Sequence, residues 1–114
     1  MAVLEVFAGS EAVSVTEWSC TTDSAGPDVE TSDGVFQVFL DLSDMIAGDS
    51  LQIRIYEKVQ SAGTQRIVYG ANLLGAQAFP IWVSPSLILM HGWDVTLDAL
   101  AGTITVEWSI RRAG

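Results

Sequence analysis

The chain has 114 residues, 49% hydrophobic and 17% charged, which suits one domain with a core that needs no disulfide or metal staple and argues against a disordered chain. Its net charge of −9 argues against nucleic acid or anionic membrane as a partner, since both require a basic face. With a single cysteine, Cys20, no intramolecular disulfide can form, and that residue is expected to be a small packed side chain, not a nucleophile.

The opening MAVLEVFAGSEAVSV has neither a basic n-region nor an unbroken apolar run, so no signal peptide or anchor is expected and synthesis in a cytoplasm is. Strands are expected at Val3–Phe7 and Val13–Trp18, with Ala8-Gly9-Ser10 as the turn between them. Residues 22–34, TDSAGPDVETSDG, are polar and acidic with a Gly-Pro break, and read as a long exposed loop. Val35–Leu42 alternates, placing Phe36, Val38, Leu40 and Leu42 inward and Phe39 on the outer face. Ser43–Gly48 could form one helical turn crossing between sheets, with Ser43 as N-cap and Gly48 as terminator.

Leu51, Ile53, Ile55 and Val59 share one phase of the next strand, opposite Gln52, Arg54 and Lys58. Further strands are expected near Thr64–Ala71, Ala78–Val83, Ser86–Met90 and Trp93–Ala99. The last, Thr103–Arg111, sets Ile104, Val106, Trp108 and Ile110 on one side and is read as the hairpin partner of Trp93–Ala99. About eight or nine short antiparallel strands separated by turn signals indicate a single two-sheet sandwich or barrel spanning residues 1–114. The longest apolar stretches, near SLILM, are too short to span a bilayer.

Residues that could carry chemistry resolve into structural roles. His91, the only histidine, has no G-x-S-x-G elbow and no further histidine to build a triad or a cupin-type metal site, so it reads as a turn residue with Gly92. Asp94 and Asp98 fall about 13 Å apart on one strand face, too far for a retaining carboxylate pair, and read as solvated outward positions beside Thr96. Asp23, Asp28, Glu30 and Asp33 could offer oxygen ligands to calcium but lack EF-hand spacing, so a solvated loop is the preferred reading. No catalytic, cofactor or metal residues are assigned, and an enzyme is not expected.

Of the four tryptophans, Trp93 and Trp108 lie on apolar phases and are expected in the core, whereas Trp82 is the best candidate for an exposed, glycan-stacking ring. The segment 78–90 is apolar on both phases, as a central or partner-covered strand would be. Phe79, Ile81, Trp82, Leu87 and Leu89 are therefore candidate interface residues, with Arg54, Arg66 and Arg111 as candidate charged contacts. Residues 1–50 carry ten carboxylates and no Lys or Arg, and residues 51–114 carry four carboxylates and five cations. Acidic and basic faces meeting head to tail between subunits would make use of that asymmetry.

Residues 35–114 resemble small structural proteins of tailed bacteriophages. The likeness rests on a D-L-S-x-M-x-x-G-D…R-I-Y-E segment (Asp41, Leu42, Ser43, Met45, Gly48, Asp49, Arg54, Ile55, Tyr56, Glu57), on Gly75-Ala76-Gln77, and on a G-x-x-V-T-L segment followed by W-x-I. Such proteins include head-decoration, or cement, proteins, some of them jelly-roll sandwiches. The resemblance implies a jelly-roll-like all-β fold and a homotrimer that binds the major capsid protein on the outer surface of an HK97-type capsid. The location implied is the virion, after synthesis in the bacterial host cytoplasm. A receptor- or glycan-binding appendage and a tail or neck component are the alternatives.

Overall fold

The computed structural model describes residues 2–113. The chain forms ten antiparallel strands in two sheets. The first sheet contains β1 (Val3–Val13), β10 (Ile104–Ala113), β4 (Gly34–Asp41) and, both against β4, the short β7 (Ile81–Val83) and β8 (Leu87–Leu89). The second runs β3 (Ser24–Ala25), β2 (Trp18–Ser19), β9 (Asp94–Ala101), β5 (Ser50–Glu57), β6 (Arg66–Leu74).

The pairings nest. β1 lies against β10, β2 against β9, β4 against β7 and β8, and β5 against β6. The chain is thus one long antiparallel ribbon doubled back at the β5–β6 tip. Rolling that ribbon brings β10 onto β4 and β9 onto β5 as well. This is jelly-roll topology, in which two Greek keys share one core. The β4 partner strand is broken at Ser84-Pro85, because proline cannot extend the ladder. Ser84 bridges the break: its N–H donates to the Val38 carbonyl (2.9 Å) and its hydroxyl accepts from the Val38 N–H (2.9 Å).

The core forms where period-2 alternation meets itself from both sheets. Phe36, Val38 and Leu40 of β4 and Ile104, Val106, Trp108 and Ile110 of β10 face Leu51, Ile53 and Ile55 of β5 and Val95, Leu97 and Ala99 of β9, all buried. Each fully buried aliphatic side chain contributes about 1.5–3 kcal/mol of hydrophobic free energy. Val13, Cys20, Leu42, Met45, Leu89 and Trp93 complete the cluster.

Several sequence expectations are corrected. Ala8-Gly9-Ser10 is no turn, because β1 runs straight through it, and residues 14–17 are not strand. Gly9 answers a packing need: a Cβ there would lie 2.7 Å from the Trp108 ring. Gly9→Ala is accordingly expected to cost about 1–3 kcal/mol by overpacking, read as a lower urea midpoint with an unchanged slope.

Residues 43–48 make no helix. Met45 N–H donates to the Leu42 carbonyl and Asp49 N–H to that of Ile46 (both 3.1 Å), giving successive tight turns that do cross from the first sheet to the second. The expected N-cap, Ser43, instead donates its N–H to the Asp41 carboxylate (2.9 Å). β5 stops at Glu57, leaving Val59 91% exposed at the hairpin tip instead of in the core.

The largest correction concerns β9 and β10. They form no hairpin, because Gly102-Thr103 carries the chain from the second sheet to the first. Gly102 has φ +82° with Asp49 packed directly against it, so a side chain there would be both strained and obstructed.

Candidate functional site

The two outer sheet faces differ in what covers them. On the second sheet, Asp94, Thr96 and Asp98 are on the outward phase, yet all three are buried. The covering material is the β1–β2 connection and the acidic loop, which contradicts the expectation of solvated positions. Glu17 lies over β9, where its carboxylate accepts from Thr96 Oγ1 and Tyr56 OH (both 2.5 Å) and pairs with Arg54 (3.2 Å). Arg54 also reaches Asp98 (3.5 Å) and donates to Gln52. Arg54, a candidate contact residue, is thus paired within its own chain.

Burial pushes the Glu17 carboxyl up, but hydrogen bonds from Thr96, Tyr56 and Arg54 and the guanidinium charge outweigh it, leaving Glu17 below the ordinary carboxylate range. Its stabilisation is therefore present above its unfolded-state value and is lost as pH falls through the folded one. Glu17→Gln should flatten the acid limb of a stability profile measured by urea unfolding between neutral pH and pH about 3; an unaltered limb would show that Glu17 does not carry it.

Asp94 anchors the acidic loop. Its Oδ1 accepts from Ser19 Oγ (2.9 Å), Thr21 Oγ1 (2.8 Å) and the Val95 N–H (2.8 Å), and its Oδ2 from the Asp28 N–H (2.8 Å). The loop is correspondingly less open than its composition suggests: Ser24–Ala25 pairs with β2, and Glu30 bridges Trp93 through both backbone bonds (2.8 and 2.9 Å). Its carboxylates turn to local donors, Asp23 to the Trp18 indole, Asp28 to Thr22, and Glu30 to the Thr31 and Ser32 amides. Among the described residues no three His, Cys, Asp or Glu are placed to hold a metal. Burial, with Asp94 and Asp23 adding to it, raises the Cys20 thiol well above its ordinary value, so it is a packed thiol.

His91 sits in the bend before β9. The Met90 and His91 amides donate to the Glu57 carboxylate (2.6 and 3.2 Å), fastening that bend to the end of β5.

The outer face of the first sheet has no such cover. Register places Val83 opposite Phe39, Ile81 opposite Asp41 and Ile88 opposite Val35, all on that face. Ile88 is 77% exposed, and Ile81, Val83, Val35 and Val3 are exposed as well. Phe39 is half-buried under the Arg111 guanidinium, 3.8 Å from its ring centroid. Beside this apolar strip lies a groove of about 550 Å³, bordered by Phe39, Ile81, Glu5, Asp41, Glu107 and Arg111. Glu107 stands directly opposite Asp41 across the β10–β4 ladder. Hydrogen bonds from Ser43 hold the Asp41 carboxyl below its ordinary range, so two like charges face each other at neutral pH, an unfavourable pairing. On the core side of the same sheet, the buried Trp108 Nε1 has no hydrogen-bond partner among the described residues.

The expected interface residues are thus divided. Ile81 and Arg111 are on the open face, and Phe79, 87% exposed, lies on the connection leading into β7. Trp82 opposite Leu40, Leu87 opposite Phe36 and Leu89 opposite Gly34 turn inward. Leu89 is core, while Trp82 and Leu87 pack against it. The Trp82 ring meets Tyr69 of β6 at 6.4 Å, closing the gap between the two sheet edges. Arg66 is exposed at the start of β6, on the other sheet. Sequence reasoning missed Phe39, Asp41 and Glu107 as a shared surface; the outward phase of two alternating strands was the available signal.

The fold and this face define the class: a jelly-roll sandwich whose second sheet is covered over β9 and whose first sheet presents an open apolar and charged face. Comparison with protein-family models, curated proteins and solved structures finds no match to the chain.

Proposed function

We propose that this chain is a structural protein of a tailed-phage virion, a decoration protein that binds the outer surface of the capsid as a homotrimer and stabilises the shell. The observation that carries this reading is the open face of the first sheet, where exposed Ile81, Val83 and Ile88 adjoin Phe39. A contiguous exposed apolar surface marks a site of protein contact. The resemblance across Asp41–Glu57 and Trp93–Ile110 supports placing that contact in a phage particle. The glycan-binding alternative relied on Trp82, whose ring is packed against the core and Tyr69.

A protein that binds only the mature lattice stabilises it by mass action. Capsids lacking the chain are expected to assemble and to break at a lower temperature, with full robustness restored on adding it back. Equal robustness with and without it overturns the proposal. A cryo-EM map giving a fixed copy number tied to the lattice separates a head protein from a tail or neck component.

A further inference from the structure

We infer that the β5–β6 hairpin tip of one copy docks into the groove on the first sheet of the next copy, so that the subunits join head to tail. This rests on the oligomer in the reading above and specifies the surfaces that build it.

Charge complementarity chooses the occupant. Around the groove, Glu5, Asp41 and Glu107 stand against a single guanidinium, Arg111, which is already engaged with Phe39 and Ser109. A cation set between Asp41 and Glu107 would relieve their like-charge opposition, and Phe39 with the exposed Ile81 offers an apolar wall beside it. The fitting partner is a protruding segment with cations flanked by apolar side chains.

The chain has such a segment. Lys58 and Arg66 bracket the hairpin tip, with Val59 91% exposed and Ile67 and Val68 exposed beside them. Among the described residues the ion pairs all belong to Arg54, so neither cation is paired within its own copy. The one carboxylate at the tip, Glu57, is occupied by the Met90 and His91 amides.

Topology makes the contact intermolecular. The groove lies at the end of the sandwich where β4 finishes at Asp41 and the chain crosses to β5, whereas the tip follows the far end of β5, on the other sheet. One copy cannot bring the two together, but a second can. The contact is heterologous, so repeating it gives a closed ring when the rotation closes. Part of the charge asymmetry along the sequence then becomes a specificity device, with Lys58 and Arg66 reading Asp41 and Glu107 of a neighbour.

Analytical ultracentrifugation of the purified chain tests this. The wild type is expected to form one discrete oligomer that weakens with salt. Lys58→Glu/Arg66→Glu and Glu107→Lys, each checked for native circular dichroism, should each raise the dissociation constant about tenfold or more, and mixing the two variants should recover pairs, although a three-membered ring would keep one mismatched contact. Val59→Asp provides the same readout at a solvated position should a charge variant misfold. A monomeric wild type, or an oligomer indifferent to these changes, overturns the inference. A ring that leaves capsids no more robust supports it while overturning the virion reading; a monomer that still stabilises capsids does the reverse.

Discussion

Asp94→Ala is expected to destabilise the fold by about 3–5 kcal/mol, because it strips the acceptor from four donors, two of them buried and two part-buried. The Ser19 and Thr21 hydroxyls can rotate toward other partners, but the Asp28 and Val95 amides point where the backbone sets them. Asp94→Asn should cost less, since it keeps the shape and one accepting oxygen, although its NH2 group cannot accept from the donors at the other. Urea unfolding at neutral pH measures both, and a loss under about 1 kcal/mol for alanine would show that the loop is held by something else.

The pH dependence of Asp94 has the opposite sign to that of Glu17. Burial raises its carboxyl above the ordinary range despite the bonds from Asp28, Ser19, Thr21 and Val95. Its contribution is therefore fullest below the unfolded-state value and declines as pH rises through the folded one. Two carboxylates on the same sheet face thus bend the stability profile in contrary directions. Asp94→Asn and Glu17→Gln should remove those bends separately.

Trp93→Ala is expected to cost a similar amount, about 3–5 kcal/mol, through a cavity its neighbours fill only in part. Trp93 is wholly buried where the sheets meet, with Phe36 of β4 at 4.5 Å and Phe7 of β1 at 5.8 Å in an edge-to-face arrangement. Its indole N–H also donates to the Ser32 carbonyl (2.8 Å), so the loss reaches the segment leading into β4. Trp93→Phe keeps an aromatic partner for Phe36 and should lose less. Chemical denaturation ranks the pair, and equal losses would mean that the Ser32 bond matters more than ring volume.

The strands most legible in the sequence are those buried on one face only. β4, β5 and β10 alternate because their outer sides meet water or a thin cover, so apolar phase and core coincide. β9 defeats the same rule. Asp94, Thr96 and Asp98 look solvated by residue type, and only their distant partners Ser19, Thr21, Glu17 and Arg54, scattered along the chain, make them interior residues. Gly9 reads as a turn because the ring it accommodates is about a hundred positions away. Gly102 reads as a hairpin turn because a two-residue link has the same appearance whether it joins strands of one sheet or of two.

In segment 78–90 the sequence did not separate the side chains that stay exposed from those that enter the core. The segment 78–90 is apolar on both phases, as a strand covered on both sides must be, but one phase is the core itself: Trp82, Leu87 and Leu89 are its inward set, leaving Ile81, Val83 and Ile88 outside. Arg54 offers no sign in the sequence that two carboxylates of its own chain already surround it.

The nesting of the ribbon also dictates an order of events during synthesis. β9 and β10, each set between two earlier strands of its sheet, are made after them, so β1 and β4 wait for β10, and β2 and β5 wait for β9. Neither sheet can be completed before these two strands have emerged, and pairings of such long sequence separation close slowly, on the millisecond-to-second scale. Until then the alternating faces of β4 and β5 are bare, and the ten carboxylates of residues 1–50, which carry no Lys or Arg, give unfinished copies a like charge that keeps them apart.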